Sequence, residues 1–216
     1  MSLTLPPSAS VASQTEGAKM CAPAAARNAD ALCEFLTRNA PSVGRVLEIA
    51  SGTGQHVARF AATLPGLDWQ PTEIDPVRRA SIDAYVAEAG LANLHPAIAL
   101  DAAQPGWSAS HRNTDLIVVV NLLHLIPDAA AQTLISEASQ ALSLQGQIML
   151  YGPFRRAGRL TSKGDQQFDT ELRAADPAIG YKDDRQIIEW LHNAGLSDVT
   201  VGNMPANNLA FLARRP

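Results

Sequence analysis

The chain is sparing with the residues that announce the simplest functions. It has two cysteines, Cys21 and Cys33, which form neither a CxxC nor a Cys/His cluster, so neither a disulfide framework nor a metal site is expected. Cys33 reads as a small core residue on a helix and Cys21 as part of a lead-in segment. Basic residues do not dominate: the formal net charge is −4, which argues against a nucleic-acid partner, since such binding depends on a basic surface. No apolar run is long enough to span a membrane. The first twenty residues lack a basic leader, a continuous apolar stretch and any arginine. Neither a secretory signal nor a transit peptide is expected, and the expected location is cytoplasmic. Pro, Ser and Ala dominate there, so residues 1–20 are expected to be a disordered tail and 21–216 a single domain.

What remains is an ordinary globular composition. A chain of 216 residues that is 46% hydrophobic can bury one full core. Ala25, Ala29, Leu32 and Leu36 form a stripe at helix spacing. Strands are expected at 43–50, 68–73, 96–100, 116–120, 148–151, 199–201 and 209–212. Helices are expected at about 55–64, 76–89, from 127 to a stop at Gln145-Gly146, and at 165–175 and 184–194. The run Leu116-Ile117-Val118-Val119-Val120 has the β-branched continuity of a strand buried on both faces. Alternating strand and helix imply a doubly wound, mostly parallel α/β sheet of Rossmann type with helices on both faces. The last two strands read as an antiparallel pair, putting a reversed C-terminal strand at one edge. Pro71 fits poorly inside a strand, and a bulge or early strand end is the expectation there. The polar stretch near 153–180 interrupts the alternation and reads as a lid or insertion, made basic by Arg155, Arg156, Arg159 and Lys163.

The most informative segment is Glu48-Ile49-Ala50-Ser51-Gly52-Thr53-Gly54-Gln55-His56. A buried strand ends in an acid, and a Gly-x-Gly turn leads into a helix. A dinucleotide fingerprint would place a third glycine at 57, where Val57 stands. Glu48 would also repel a dinucleotide's phosphates. In an open α/β sheet the ligand binds beyond the carboxyl ends of the strands, and polar residues stand at four successive ends: Glu48; Glu73-Ile74-Asp75; Asp101-Ala102; and Asn121-Leu122-Leu123-His124. A carboxylate after the second strand suits a ribose diol. Helix capping is the competing role for Glu73 and Asp75.

These positions resemble motif I and the following strand ends of the class I S-adenosylmethionine (SAM) methyltransferases. A narrower resemblance rests on Pro23-Ala24-Ala25-Ala26-Arg27-Asn28, the Glu48 to His56 segment, Trp69-Gln70-Pro71, Tyr151-Gly152-Pro153-Phe154 and Met204-Pro205-Ala206-Asn207-Asn208-Leu209. It is to the family of domain of unknown function 938, which includes methyltransferase-like protein 26. The resemblance implies a seven-stranded sheet and SAM as cofactor, with S-adenosylhomocysteine (SAH) as product. It implies that Glu48 contacts the methionine amine and that Ala50, Ser51, Gly52 and Gly54 form a backbone cradle. Glu73, with Ile74 beside it, takes the ribose; Asp101 and Ala102 meet the adenine; Asn121 and Leu122 line the methionine side. Arg27 and Asn28 fold over the cofactor mouth.

Methyl transfer from a sulfonium needs acceptor and methyl in line, and a base only where the acceptor begins protonated. His124 is the candidate base, with a packed structural histidine as the alternative. Tyr151 is the candidate for orienting the acceptor. The expected function is methyl transfer to a small-molecule O, N or S acceptor, with an anionic one suited to the basic insertion. The alternatives are a SAM-binding module without turnover and another SAM-dependent group transfer.

Overall fold

The structure, a computed structural model, describes residues 5, 6, 8, 9 and 11–216. Part of the expected tail is ordered. Strands β1 (Ser13–Gln14) and β2 (Met20–Cys21) pair as an antiparallel hairpin. The hairpin is held from outside, by Met20 N donating to Ser81 Oγ and Tyr85 Oη donating to the Met20 carbonyl. Residues 1–4, 7 and 10 of that tail lie outside the described residues.

Helix α1 (Pro23–Asn39) opens on a proline and buries Ala25, Ala29, Leu32 and Leu36, the stripe read from the sequence. Next come β3 (Gly44–Ile49), α2 (Gln55–Thr63), β4 (Leu67–Pro71) and α3 (Pro76–Ala89). Helix α3 starts on an Asp75 cap and stops at Gly90, whose φ of 58° suits a glycine. The centre is completed by β5 (Thr114–Val120), α4 (Asp128–Ala141) and β6 (Leu142–Arg155). After it follow α5 (Lys163–Ala175), β7 (Lys182–Asp183), α6 (Asp184–Asn193), β8 (Ser197–Asn203) and β9 (Asn208–Arg214).

The sheet order is β4-β3-β5-β6-β9-β8, with β7 joining β6 beyond its last β5 pairing. Strands β4, β3, β5 and β6 are parallel, and β9 runs against both β6 and β8. The reversed strand therefore lies one place in from the edge, not at the edge as expected. Period-two alternation divides the core between the two faces. Val46, Trp69, Leu116, Val118 and Met149 meet α1 to α3, whereas Leu47, Ile49, Ile117, Val119, Ile148 and Leu150 meet α4 and α6. A third, smaller cluster around Leu172, Ile179 and Tyr181 seats α5.

Two expectations are corrected. The segment expected as a strand at 96–100 touches β4 only through isolated bridges, Trp69 with Leu94 and Thr72 with Ile98. The cause is a pair of prolines. Trp69 N donates to Asn93 O, the Trp69 carbonyl accepts from His95 N, and the Pro71 carbonyl accepts from Ile98 N. The ladder next needs an N–H on Pro71, which has none, and Pro96 lacks another. Gln70 Nε2 reaches across to the Pro96 carbonyl at 2.8 Å instead. Pro71 is thus tolerated because its missing donor faces the outer edge, while Thr72 N still donates to Glu48 O on the inner side. The second correction concerns 145–146. Helix α4 already ends at Ala141, and Gln145 (φ 64°) lies in a bulge between the pairings Thr114–Leu142 and Leu116–Gln147.

Ile117, fully buried in the middle of β5, is a direct probe of this core. Ile117→Ala is expected to cost about 2–5 kcal/mol, the transfer term plus the cavity it leaves, measured by urea denaturation.

Candidate functional site

Strands β3 and β5 are neighbours, and the chain leaves β3 in one direction for β4 and in the other for β5. That is the switch point of a doubly wound sheet, where a crevice opens beyond the strand ends. Both strands finish on a left-handed residue, Ala50 at φ 55° and Asn121 at φ 55°. Such a conformation is uncommon for alanine and peels the chain sharply off the sheet.

The turn after β3 is stitched to β4. Ser51 N donates to Thr72 O, and Thr72 donates to the Glu48 carbonyl through both its N and its Oγ1. Gly52 N donates to Glu73 Oε2 at 3.0 Å, while Glu73 Oε1 accepts from Ile74 N and Asp75 N at 2.9 and 3.2 Å. Three of the roughly four lone-pair seats of this carboxylate are therefore filled by backbone amides. Asp75 does what the capping alternative holds: its Oδ1 accepts from Val77 N at 2.8 Å. Ile74 stands 59% exposed beside Glu73, an apolar surface where packing demands none.

The two motif glycines have different jobs. A Cβ on Gly54 would lie 2.8 Å from Ile82 Cα, so this residue exists for the contact between α2 and α3. A Cβ on Gly52 (φ 61°) would meet Arg78 Nη1 at 3.6 Å and the Ala50 carbonyl at 4.0 Å, both ordinary contacts, with no clash among the described residues. Of the cradle expected from the sequence, Gly52 faces the crevice and Gly54 faces the core.

Glu48 is the electrostatic centre of the site. It is 1% exposed and its Oε2 has no partner among the described residues. Burial pushes its carboxyl up to about 7; the Ser51 hydroxyl opposes this and the charge of Glu73 adds to it. A buried carboxylate oxygen without a donor is costly, and a cationic donor is what relieves it.

The remaining candidate residues are placed as follows; Asp101 follows a segment that forms no strand. Asp101 is half-buried and accepts from Ala103 N at 3.0 Å, with Ala102 buried next to it. Asn121 N donates to the Tyr151 carbonyl, and Leu122 is half-buried against the α4 face. On α1, Asn28 is buried while Arg27 is exposed. The first turn of α1 is tied to α2, because Ala22 N donates to Gln55 Oε1 and His56 is hydrogen-bonded to the backbone of Ala25. His56 is stacked on Phe60, its Nε2 has no partner among the described residues, and burial lowers its pKa to about 4.

His124 follows its structural alternative. It sits in a 3-10 turn (Leu123–Leu125), edge-on to Phe168 and Tyr181. Burial, and then the charge of Lys182, hold its pKa down at about 3. A neutral imidazole with so low a pKa is a weak base at neutral pH. Tyr151 is buried in β6, level with the end of β5, and its hydroxyl accepts from Asn208 Nδ2 at 2.9 Å. The basic insertion is less of an anion trap than its composition implied. Arg156 is spent on Asn203 Oδ1 and the carbonyls of Asn207 and Asn208, and Arg159 and Lys163 point to solvent.

Sequence reasoning missed two participants. It read Asn208 as a turn residue, yet Asn208 is buried and bonded to Tyr151. It counted Arg156 only among the residues that make the insertion basic, yet Arg156 fastens the turn carrying Asn208. The partners are 57 and 52 positions apart in the chain, beyond any local signal.

Comparison with known proteins agrees with this architecture. A family model described as protein of unknown function (DUF938) matches residues 19–215, and the chain belongs to that family. Among solved structures it is similar to an O-methyltransferase family protein from Burkholderia thailandensis, with TM-score 0.74, 14% identity and coverage of 87% of this chain and 56% of the other. It is similar to an O-methyltransferase family 2 protein from Planctomyces limnophilus, in complex with apigenin, with TM-score 0.75, 15% identity and coverage of 89% and 58%. Human N-acetylserotonin methyltransferase, in complex with SAM, gives TM-score 0.65, 18% identity and coverage of 86% and 54%. The chain spans little more than half the length of these proteins. At such identities the likeness establishes the fold.

Gly54→Ala tests the division of labour between the glycines. It is expected to lower the thermal unfolding midpoint, because both its φ of 92° and its Cβ clash with α3 oppose a side chain.

Proposed function

We propose that the chain is a SAM-dependent methyltransferase acting on a small-molecule O, N or S acceptor. The observation that carries this reading is Glu48: a buried carboxylate oxygen without a partner, set behind a glycine turn at the switch point. Its environment asks for a cation small enough to enter, and the amine of an amino acid moiety is such a group. The clash-free space over Gly52 and the exposed Ile74 face fit a nucleoside laid across the turn. Glu73 has about one lone-pair seat left, so it would take a single ribose hydroxyl, not both. Asp101 and Ala102 would meet the base, and Asn121, Leu122 and the α1 residues Arg27 and Asn28 the methionine side. The solved structures named above that are in complex with SAM or with apigenin support the same reading by analogy of fold.

When bound, SAM supplies a methyl on a sulfonium, which leaves by in-line displacement. The protein's part is to hold the acceptor in line and keep water out. The His124 environment disfavours proton abstraction, so the reading favours an acceptor that is already ionised or carries a free lone pair. The same absence of a strong base is what supports the alternative of a SAM-binding module. Calorimetry with SAM and SAH, followed by turnover on a metabolite library, separates the two: tight binding with no SAH released on any acceptor would establish the module.

The site assignment makes graded predictions. Gly52→Val is expected to abolish SAH binding, since its side chain fills the crevice. Glu73→Ala should weaken SAH by about 1–3 kcal/mol, through the lost hydroxyl contact and a loosened turn. Asp75→Ala should cost about 1 kcal/mol of stability as a lost helix cap and leave SAH affinity unchanged. A damaging Asp75→Ala with a silent Glu73→Ala would refute the assignment.

Glu48 predicts a pH dependence. A carboxyl with a raised folded pKa stabilises the fold while protonated, so its contribution is complete below the ordinary carboxylate range. That contribution is lost as pH rises to about 7. Ligand affinity runs the opposite way, because only the ionised form attracts an ammonium. SAH affinity should rise as pH climbs through about 7, and Glu48→Gln should flatten both profiles, read by calorimetry and by unfolding at each pH.

A further inference from the structure

Tyr151 stands level with the end of β5: it pairs with Val120, and its carbonyl accepts from Asn121 N. Its side chain packs with Val118 and Met149 on the α1 to α3 face, which by alternation is also the face of Glu48. Its hydroxyl accepts from Asn208 Nδ2 at 2.9 Å, and the same nitrogen donates to the Pro205 carbonyl at 3.1 Å. A carbonyl can only accept, so the Pro205 contact fixes which end of the Asn208 amide is nitrogen. Asn208 therefore gives a hydrogen to the phenol and takes none from it.

The phenol's own proton is left over. Among the described residues Tyr151 donates to no acceptor, whereas Tyr85 Oη donates to the Met20 carbonyl and Tyr181 Oη to Asp165 Oδ1. Asn208 is also held in place. Arg156 grips the carbonyls of Asn207 and Asn208, and Asn207 Nδ2 donates to Asp165 Oδ2 at 3.1 Å. Asp165 in turn forms the cap of α5 with Ser162. The whole turn between β8 and β9 is clamped between β6 and the insertion.

We infer that Asn208 is a positioning residue that turns the Tyr151 phenol proton toward the acceptor. The acceptor then carries a hydrogen-bond-accepting oxygen (carboxylate, carbonyl or phenolate) beside the atom that is methylated. The inference rests on the methyl-transfer reading above. No proton is transferred: burial pushes the phenol up to about 12, with the Asn208 bond opposing, so Tyr151 orients by donation and stays neutral.

The test uses the full chain saturated with SAH, titrated with benzoate, acetophenone and toluene as ring probes with and without an accepting oxygen. Benzoate and acetophenone are expected to bind about tenfold more tightly than toluene, the worth of one good hydrogen bond. Tyr151→Phe should erase that difference. Asn208→Asp should erase it as well, because it keeps the shape but offers an acceptor that recaptures the phenol proton. SAH binding serves as the control that each variant is folded. The Raman Fermi doublet of tyrosine, taken as wild type minus Tyr151→Phe, should read acceptor-only with SAH and both acceptor and donor once benzoate is added. A merely structural Asn208 would leave both the probe preference and the doublet unmoved in Asn208→Asp. Equal or undetectable binding of the three probes to the wild type overturns the inference, as does a preference that survives either substitution. Failure of the wild type to bind SAH at all overturns the methyl-transfer reading itself.

Discussion

The amide of Gly52 donating to the carboxylate of Glu73 is the contact on which the site depends. It joins the turn after β3 to the end of β4, two parts of the chain that the parallel register already brings level at Glu48 and Pro71. Thr72 supports it from below by donating twice to the Glu48 carbonyl. Without this brace the left-handed Ala50 and Gly52 would have no reason to hold one conformation. A cradle built from backbone must be rigid before it meets its ligand, since the cost of ordering it would otherwise be taken from binding.

The brace also explains the charge arrangement. Glu73 accepts from three backbone donors. Glu48, one strand away and deeper, has none at Oε2 among the described residues and feels both burial and the neighbouring charge. Two carboxylates in one crevice thus differ in character: one is a structural acceptor nearly full, the other an unsatisfied acceptor. A ligand with a cationic end and a hydroxylated end matches that asymmetry, and a phosphate-bearing dinucleotide does not.

Much of this was legible from residue order. The buried runs of β3, β5 and β6 and the stripe on α1 are short-range patterns, and each produced the element it implied. The strand-end acids were legible because the topology fixes where strand ends meet. What failed was long-range or depended on a missing donor. Pro71 was noticed, but the side its absent N–H would face is set by sheet order, and the effect falls on residues 94–98. The hairpin at 13–21 looked like a tail because its order comes from Ser81 and Tyr85. The distinction between Gly52 and Gly54 needed the position of α3. Tyr151 and Asn208 were each noted, but nothing local says that one donates to the other.

On the proposed acceptor side the insertion is joined to the strand ends by contacts, although it carries none of their residues. His124 is edge-on to Phe168 and Tyr181, Tyr181 donates to Asp165, and Asp165 receives Asn207 from the turn that holds Asn208. One continuous chain of contacts therefore runs from the 3-10 turn after β5, over the insertion, to the Tyr151 phenol on β6. Its members are aromatic faces and hydrogen bonds from uncharged donors, with the carboxylate of Asp165 as the common acceptor. A wall of that kind is poor at moving protons and good at holding a shape. With an imidazole held neutral and a phenol held protonated, what it can supply to a methyl transfer is alignment and the exclusion of water. Those are the contributions a displacement from a sulfonium can use, because the positive charge disperses as the reaction proceeds and no strong base is required.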